Sequence, residues 1–183
     1  MANPKTPHYH RVIEFMLRAG QACPLVPTVP DEKTRVLRAR LMLEEVLETI
    51  AALGVEVTFN PDPGGSMFSD HTHDIKFEAL KFEARGEVDM VEVADGCADV
   101  AVVTTGTLIA LGIPDVELQE AVDVNNLAKF GPGGRRDDNG KWIKPPGHKP
   151  PNVRGLLEDF GYFKQEARVP DSVLHSRSFP EPG

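Results

Sequence analysis

Residues 89–111 read DMVEVADGCADVAVVTTGTLIAL, and the reading of this stretch decides the fold. After Asp89 its only charged residues are Glu92, Asp95 and Asp99. The β-branched middle, Val100 to Thr105, would also suit a buried strand. Uninterrupted length and the stop signal of Gly112 and Pro114 favour a helix from about Asp89 to Leu111. At about 100° per residue, the three acids share an arc of about 60°. A helix apolar nearly all round is normally buried. Three carboxylates on one stripe of a buried helix repel one another and lose hydration, at a cost of roughly several kcal/mol per uncompensated charge. They therefore need neutralising. Bound Mg²⁺, which takes oxygen ligands, would do it. So would ion pairs with Arg35, Arg38 and Arg40.

A second acidic stripe lies upstream. Glu32 to Leu53 is predicted helical, with Asp31 as N-cap and Gly54 as stop. Glu44 and Glu48 point about 40° apart, and Glu45 lies about 100° from Glu44. Leu43, Val46, Leu47, Ile50 and Leu53 gather on roughly the opposite side. Taken alone, this is a solvated acidic face on an amphipathic helix. Two acidic helices facing each other could instead hold two or more Mg²⁺ ions and clamp a triphosphate.

Further outward, Tyr9 to Gln21 is predicted as a first helix, with Val12, Phe15, Met16 and Ala19 at helical spacing. Pro24, Pro27 and Pro30 make an extended connector. Val55 to Phe59 and Ile75 to Phe82 alternate like the strands of a hairpin, around a turn-rich loop from Asn60 to Asp74. Asp115 is a cap for a fourth helix, Val116 to Phe130. Gly131 to Asn152 reads as a loop rich in Gly, Pro and basic residues, and Val153 to Phe163 as a last short helix. The expected fold class is all-α: a helical bundle of four to five helices with a small β-hairpin insertion and a long C-terminal loop. The domain is expected at residues 8–163, followed by a tail at 164–183.

Composition narrows the function. The chain has 183 residues, 40% hydrophobic and 26% charged, with a net charge of −8. An acidic protein does not attract nucleic acid or an anionic membrane through its overall field. Its two cysteines, Cys23 and Cys97, have no zinc spacing, which suits a reducing, cytoplasmic setting. The polar start is not a signal peptide, and the uncharged apolar run Val100 to Ile113 is too short to span a bilayer. Asp70-His71-Thr72-His73-Asp74 has metal-like spacing but lacks the further histidines of a zinc hydrolase, and reads as a polar loop tip. Gly131 to Gly134 lacks the Lys-Ser/Thr of a phosphate-cradling loop. Trp142 and Tyr162 could stack on a base, or simply pack.

Glu45-x-x-Glu48 followed by Glu92-x-x-Asp95-x-x-x-Asp99 resembles the motif of the MazG-like all-α NTP pyrophosphohydrolases. The similarity is greatest to the phosphoribosyl-ATP-pyrophosphohydrolase-like branch often carried by phages. Val36-Leu37-Arg38-x-x-Leu41-x-x-Glu44-Glu45 is similar to that family's second-helix signature. Asp95-Gly96-x-x-Asp99-Val100 with Thr105-Gly106-Thr107 is similar to its third, and Val124-Asn125-Asn126-Leu127-Ala128-Lys129 to its fourth. Asn139-Gly140-Lys141, Lys144-Pro145 and Pro150-Pro151-Asn152-Val153 are similar to its C-terminal loop. In many relatives the residue three before the aspartate aligned with Asp99 is glutamate. Here it is Gly96, so the second pair is Asp95 with Asp99, or Glu92 with Asp95.

The resemblance implies hydrolysis of a nucleoside triphosphate to the monophosphate and pyrophosphate, supported by two or three Mg²⁺, with Mn²⁺ as a substitute. It implies Glu44, Glu45 and Glu48 as catalytic acids, and Glu45, Glu48, Glu92, Asp95 and Asp99 as metal ligands. Asn126, Lys129, Lys141 and Lys144 would contact substrate. A homo-oligomer is expected, a tetramer before a dimer, because one small chain has few elements to cover its third helix. The base is open: non-standard nucleotides, dUTP, or dGTP for a phage with modified DNA. Two other classes fit the same helices, a non-catalytic nucleotide-binding regulator and a scaffold whose acids form ion pairs.

Overall fold

Thr6 closes two ends at once. Its hydroxyl oxygen accepts from the Tyr9 amide at 3.1 Å, which caps the first helix. Its own amide and hydroxyl donate to the Asp115 carboxylate, the amide at 3.2 Å. Pro7 follows at the first helical position, where its missing N–H costs nothing. In the computed structural model, which describes residues 4–59, 80–137 and 142–162, helix α1 runs Pro7–Arg18. It ends before the predicted Gln21, at a turn where Gly20 takes φ 71°.

Helix α2 spans Glu32–Ala52, strand β1 Val55–Phe59, strand β2 Leu80–Ala84 and helix α3 Met90–Ala110. The two strands pair antiparallel, from Val55 opposite Ala84 to Phe59 opposite Leu80. The hairpin expected from the alternation is therefore present, with its second strand running two residues past the expected end at Phe82; residues 60–79, including the expected start at Ile75, lie outside the described residues. The Asp70 to Asp74 cluster falls there too. Asp89 starts α3 by accepting from the amides of Val91 and Glu92 at 3.0 and 3.2 Å. Gly54 and Gly112 end α2 and α3 as expected, both at positive φ.

Helix α4 spans Val116–Ala128 and helix α5 Val153–Asp159, each shorter than predicted at its C-terminus. Asp115 sits at the N-cap of α4 but makes no side-chain cap bond, since Thr6 already occupies its carboxylate. The basic stretch is not wholly loop. Strand β3, Arg135–Arg136, pairs antiparallel with strand β4, Trp142–Ile143. A 4.7 Å contact between the rings of Phe130 and Trp142 accompanies the pair, and the indole N–H of Trp142 donates to the Lys129 carbonyl at 2.5 Å. Helices dominate the described residues, so the fold is all-α with small hairpins. The tail at 164–183 lies outside them.

The chain forms two compact units, Glu32–Thr104 and Met1–Asp31 with Thr105–Gly183. The second unit has the better core. Tyr9, Val12 and Met16 of α1 and Ile109 and Ala110 of α3 are buried there. The Tyr9 hydroxyl donates to the Ile113 carbonyl at 3.0 Å, and burial followed by the Asp115 charge pushes its pKa up to about 12.

The first unit departs from expectation. Helix α3 was expected to be buried, yet Met90 is 71% and Val91 75% exposed, and burial sets in only from Val103. Among the described residues, little covers the acid-bearing half of the helix. By length and composition α3 could also pass for a membrane span. Its stripe of three carboxylates argues against contact with lipid.

Candidate functional site

The acidic residues belong to one unit, and one close approach organises them. A Cβ built on Gly96 would lie 2.4 Å from Thr49 Oγ1 and 3.2 and 3.3 Å from Thr49 Cβ and Cα. Only the hydrogen of glycine lets α3 come this near to α2. The Thr49 hydroxyl is turned back along its own helix and donates to the Glu45 carbonyl at 2.7 Å. Around this contact, Glu45 and Glu48 stand four and one residues before Thr49. Glu92 and Asp95 stand four and one before Gly96, and Asp99 three after it.

Electrostatics show which acids share a field. The Glu45 carboxyl titrates above its usual range, first because it is partly buried, then through the charges of Asp99, Glu48, Glu44 and Asp95. Acids from α2 and α3 thus act on one carboxyl. Glu92 lies outside that group, toward the start of α3. Among the described residues none of the six acids has an ion-pair partner, and neither Arg35 nor Arg40 neutralises them. Arg38 is instead buried.

The donor set suits a hard divalent cation: oxygen ligands, high negative charge and no counter-ion. Its geometry is not closed, because among the described residues no three acidic, histidine or cysteine side chains converge closely enough to hold a metal. Mutually repelling carboxylates have no reason to converge without a cation between them.

The expected substrate contacts lie in the other unit. The Lys129 amine donates to Asn126 Oδ1 at 2.6 Å, so the two form a pair on the last turn of α4. Lys144 is exposed, and Lys141 lies outside the described residues. The positioning role of Thr49 and Gly96 was not foreseen. Its signal was a glycine standing between two acids on a helix, read only as a missing ligand.

Two outcomes follow. Because the folded-state pKa of Glu45 is raised, its contribution to stability is present below the unfolded value and is lost as pH rises through the folded one. Metal-free protein should therefore gain stability on acidification through the carboxylate range. Glu45→Gln should raise the metal-free melting temperature at pH 7 and flatten that part of the profile, as measured by thermal unfolding against pH. Gly96→Ala should push the helices apart at Thr49, although alanine favours the helix itself by about 1 kcal/mol. Turnover should fall roughly ten- to hundredfold, the scale of an ångström-sized misplacement. The double variant with Thr49→Ala should recover part of the loss, and wild-type turnover in Gly96→Ala would refute the role.

Comparison with known proteins places the chain. The phosphoribosyl-ATP pyrophosphohydrolase family matches residues 12–126, more than half the sequence, including both acidic helices and Asn126. No curated protein matches. Lys129, Lys144 and the β3–β4 pair lie beyond the matched region. A pyrophosphohydrolase acting on nucleotide triphosphates is what this match indicates, and the chain belongs to the phosphoribosyl-ATP pyrophosphohydrolase family, within the MazG-like all-α NTP pyrophosphohydrolase superfamily.

Proposed function

We propose that the chain hydrolyses a nucleoside or deoxynucleoside triphosphate to the monophosphate and pyrophosphate, with Mg²⁺, and serves to control the nucleotide pool. The carrying observation is the Glu45 carboxyl set among Glu44, Glu48, Asp95 and Asp99 in a chain of this family. Glu45, Glu48, Glu92, Asp95 and Asp99 would hold the cations. Six carboxylates carry more charge than one Mg²⁺ offsets, which favours two or three ions, with Mn²⁺ able to replace them. Bound there, the metal supplies charge neutralisation and a lowered pKa for a coordinated water. An acid from the Glu44, Glu45 and Glu48 group takes the proton of the attacking water. Asn126, Lys129, Lys141 and Lys144 are proposed as phosphate contacts; a phosphate oxygen would replace Asn126 as the partner of the Lys129 amine.

A simple nucleotide, dGTP or dUTP among the candidates, is favoured over phosphoribosyl-ATP. The segment after residue 126, with the β3–β4 pair, lies beyond the family match and adds basic residues to it. A phage origin would suit this use. A second reading is a nucleotide-binding regulator without turnover, built on the same helices. It would bind triphosphates with Mg²⁺ and release no pyrophosphate.

Self-association is part of the proposal. Val36, Leu43 and Leu47 follow one another along one side of α2 and are 51%, 60% and 44% exposed. Met90 and Val91 of α3 are 71% and 75% exposed as well, and exposed apolar side chains of this kind favour association. Light scattering at micromolar concentration should report a homo-oligomer, a tetramer before a dimer, and a monomeric mass would count against it.

The direct test is hydrolysis of a panel of NTPs and dNTPs in ¹⁸O-labelled water. Label should appear in the monophosphate, marking attack at the α-phosphorus. Orthophosphate as first product, or full activity in excess EDTA, would overturn the reading. Glu48→Gln and Asp99→Asn should each lower turnover by at least roughly a hundredfold with the fold intact.

A further inference from the structure

The unit built from the chain's two ends contains a cavity of about 460 Å³ that the proposed reaction does not use. That volume lies in the range of small-ligand pockets, roughly 300–1,000 Å³. Its walls are fixed by covalent and backbone constraints. Pro24, Pro27 and Pro114 line it, and each locks its own φ. The connector carrying two of those prolines is fastened across the end of α3. The Thr28 amide donates to the Leu111 carbonyl at 2.9 Å, and a Cβ on Gly112 would lie 2.1 Å from the Val26 carbonyl oxygen.

Ile13, Val26 and Phe160 give the lining apolar surface, and Leu25, also in the lining, is 94% exposed. The polar groups are of both signs and come from different elements. Lys5 precedes the N-cap of α1, His10 lies in the first turn of that helix, and Asp159 ends α5. Among the described residues His10 and Asp159 have no side-chain partner, and Lys5 makes only a contact with the Tyr9 ring at 5.8 Å.

We propose that this cavity binds a small zwitterion with an apolar body, the chemistry shared by a free aliphatic amino acid and a short apolar peptide. Asp159 receives the ammonium, Lys5 and His10 receive the carboxylate, and the body covers Leu25 against Ile13 and Phe160. None of these residues belongs to the acidic group on α2 and α3, so the site stands whether or not the pyrophosphohydrolase reading holds.

Isothermal titration of the full chain with leucine and with leucyl-leucine tests this and separates the two sources. At least one should bind saturably. 3-Methylbutylamine and 4-methylpentanoate, each lacking one charge, should bind more weakly by roughly tenfold or more, the scale of one charge-assisted hydrogen bond. Lys5→Ala and Asp159→Asn should weaken the zwitterion similarly. The single-charge analogues act on the wild type and keep the test independent of how the variants fold. Three results would overturn the proposal: no saturable binding of either zwitterion at millimolar concentration, an analogue binding as tightly as its parent, or both variants retaining full affinity.

Discussion

Thr49 and Gly96 set the distance between α2 and α3, and the acidic residues inherit their arrangement from that distance. Side chains on neighbouring helices meet only if their axes are near enough. A side chain at position 96 would hold the axes apart, exposing Glu45 further and thinning the charges that, after burial, raise its pKa. The glycine weakens helix propensity in the middle of a 21-residue helix, by about 1 kcal/mol relative to alanine. Length offsets this, as does the Asp89 cap, whose carboxylate holds the amides of Val91 and Glu92. A position three before Asp99, where the sequence pattern asked for another acid, is here the place where α3 meets Thr49 of α2.

A different logic holds the other unit together. Its cohesion comes from polar links between distant parts of the sequence: Thr6 to Asp115, Tyr9 to Ile113 and Thr28 to Leu111. Each closes a long loop, and each is sheltered by the buried side chains of Tyr9, Val12, Met16 and Ile109. Prolines stiffen the connector between these links, so little conformational freedom is left to lose there.

The long helices were legible because their signals are local and redundant. Periodicity, acidic spacing and the glycines at 54 and 112 all point to the same ends, and the β1–β2 pair follows from alternation. The acids on α2 and α3 were found by angle alone. Less legible were features that depend on partners far away in sequence. Asp115 looked like a cap because its neighbours are helical, but Thr6 competes for the same oxygens. The β3–β4 pair has strands of only two residues, too short for any pattern to show. The exposure of α3 was misjudged for a physical reason. Composition reports that a surface wants covering, not which residues reach it.

Trp142 is the protein's single tryptophan. Its indole is tied to the Lys129 carbonyl and lies tilted against Phe130, at the junction of α4 and the basic segment. The chain thereby carries an intrinsic fluorophore confined to one of its two units. Its emission follows the environment of that junction. An optical signal from this protein can thus be assigned to a place without labelling, and separated from calorimetric signals that sum over the whole molecule.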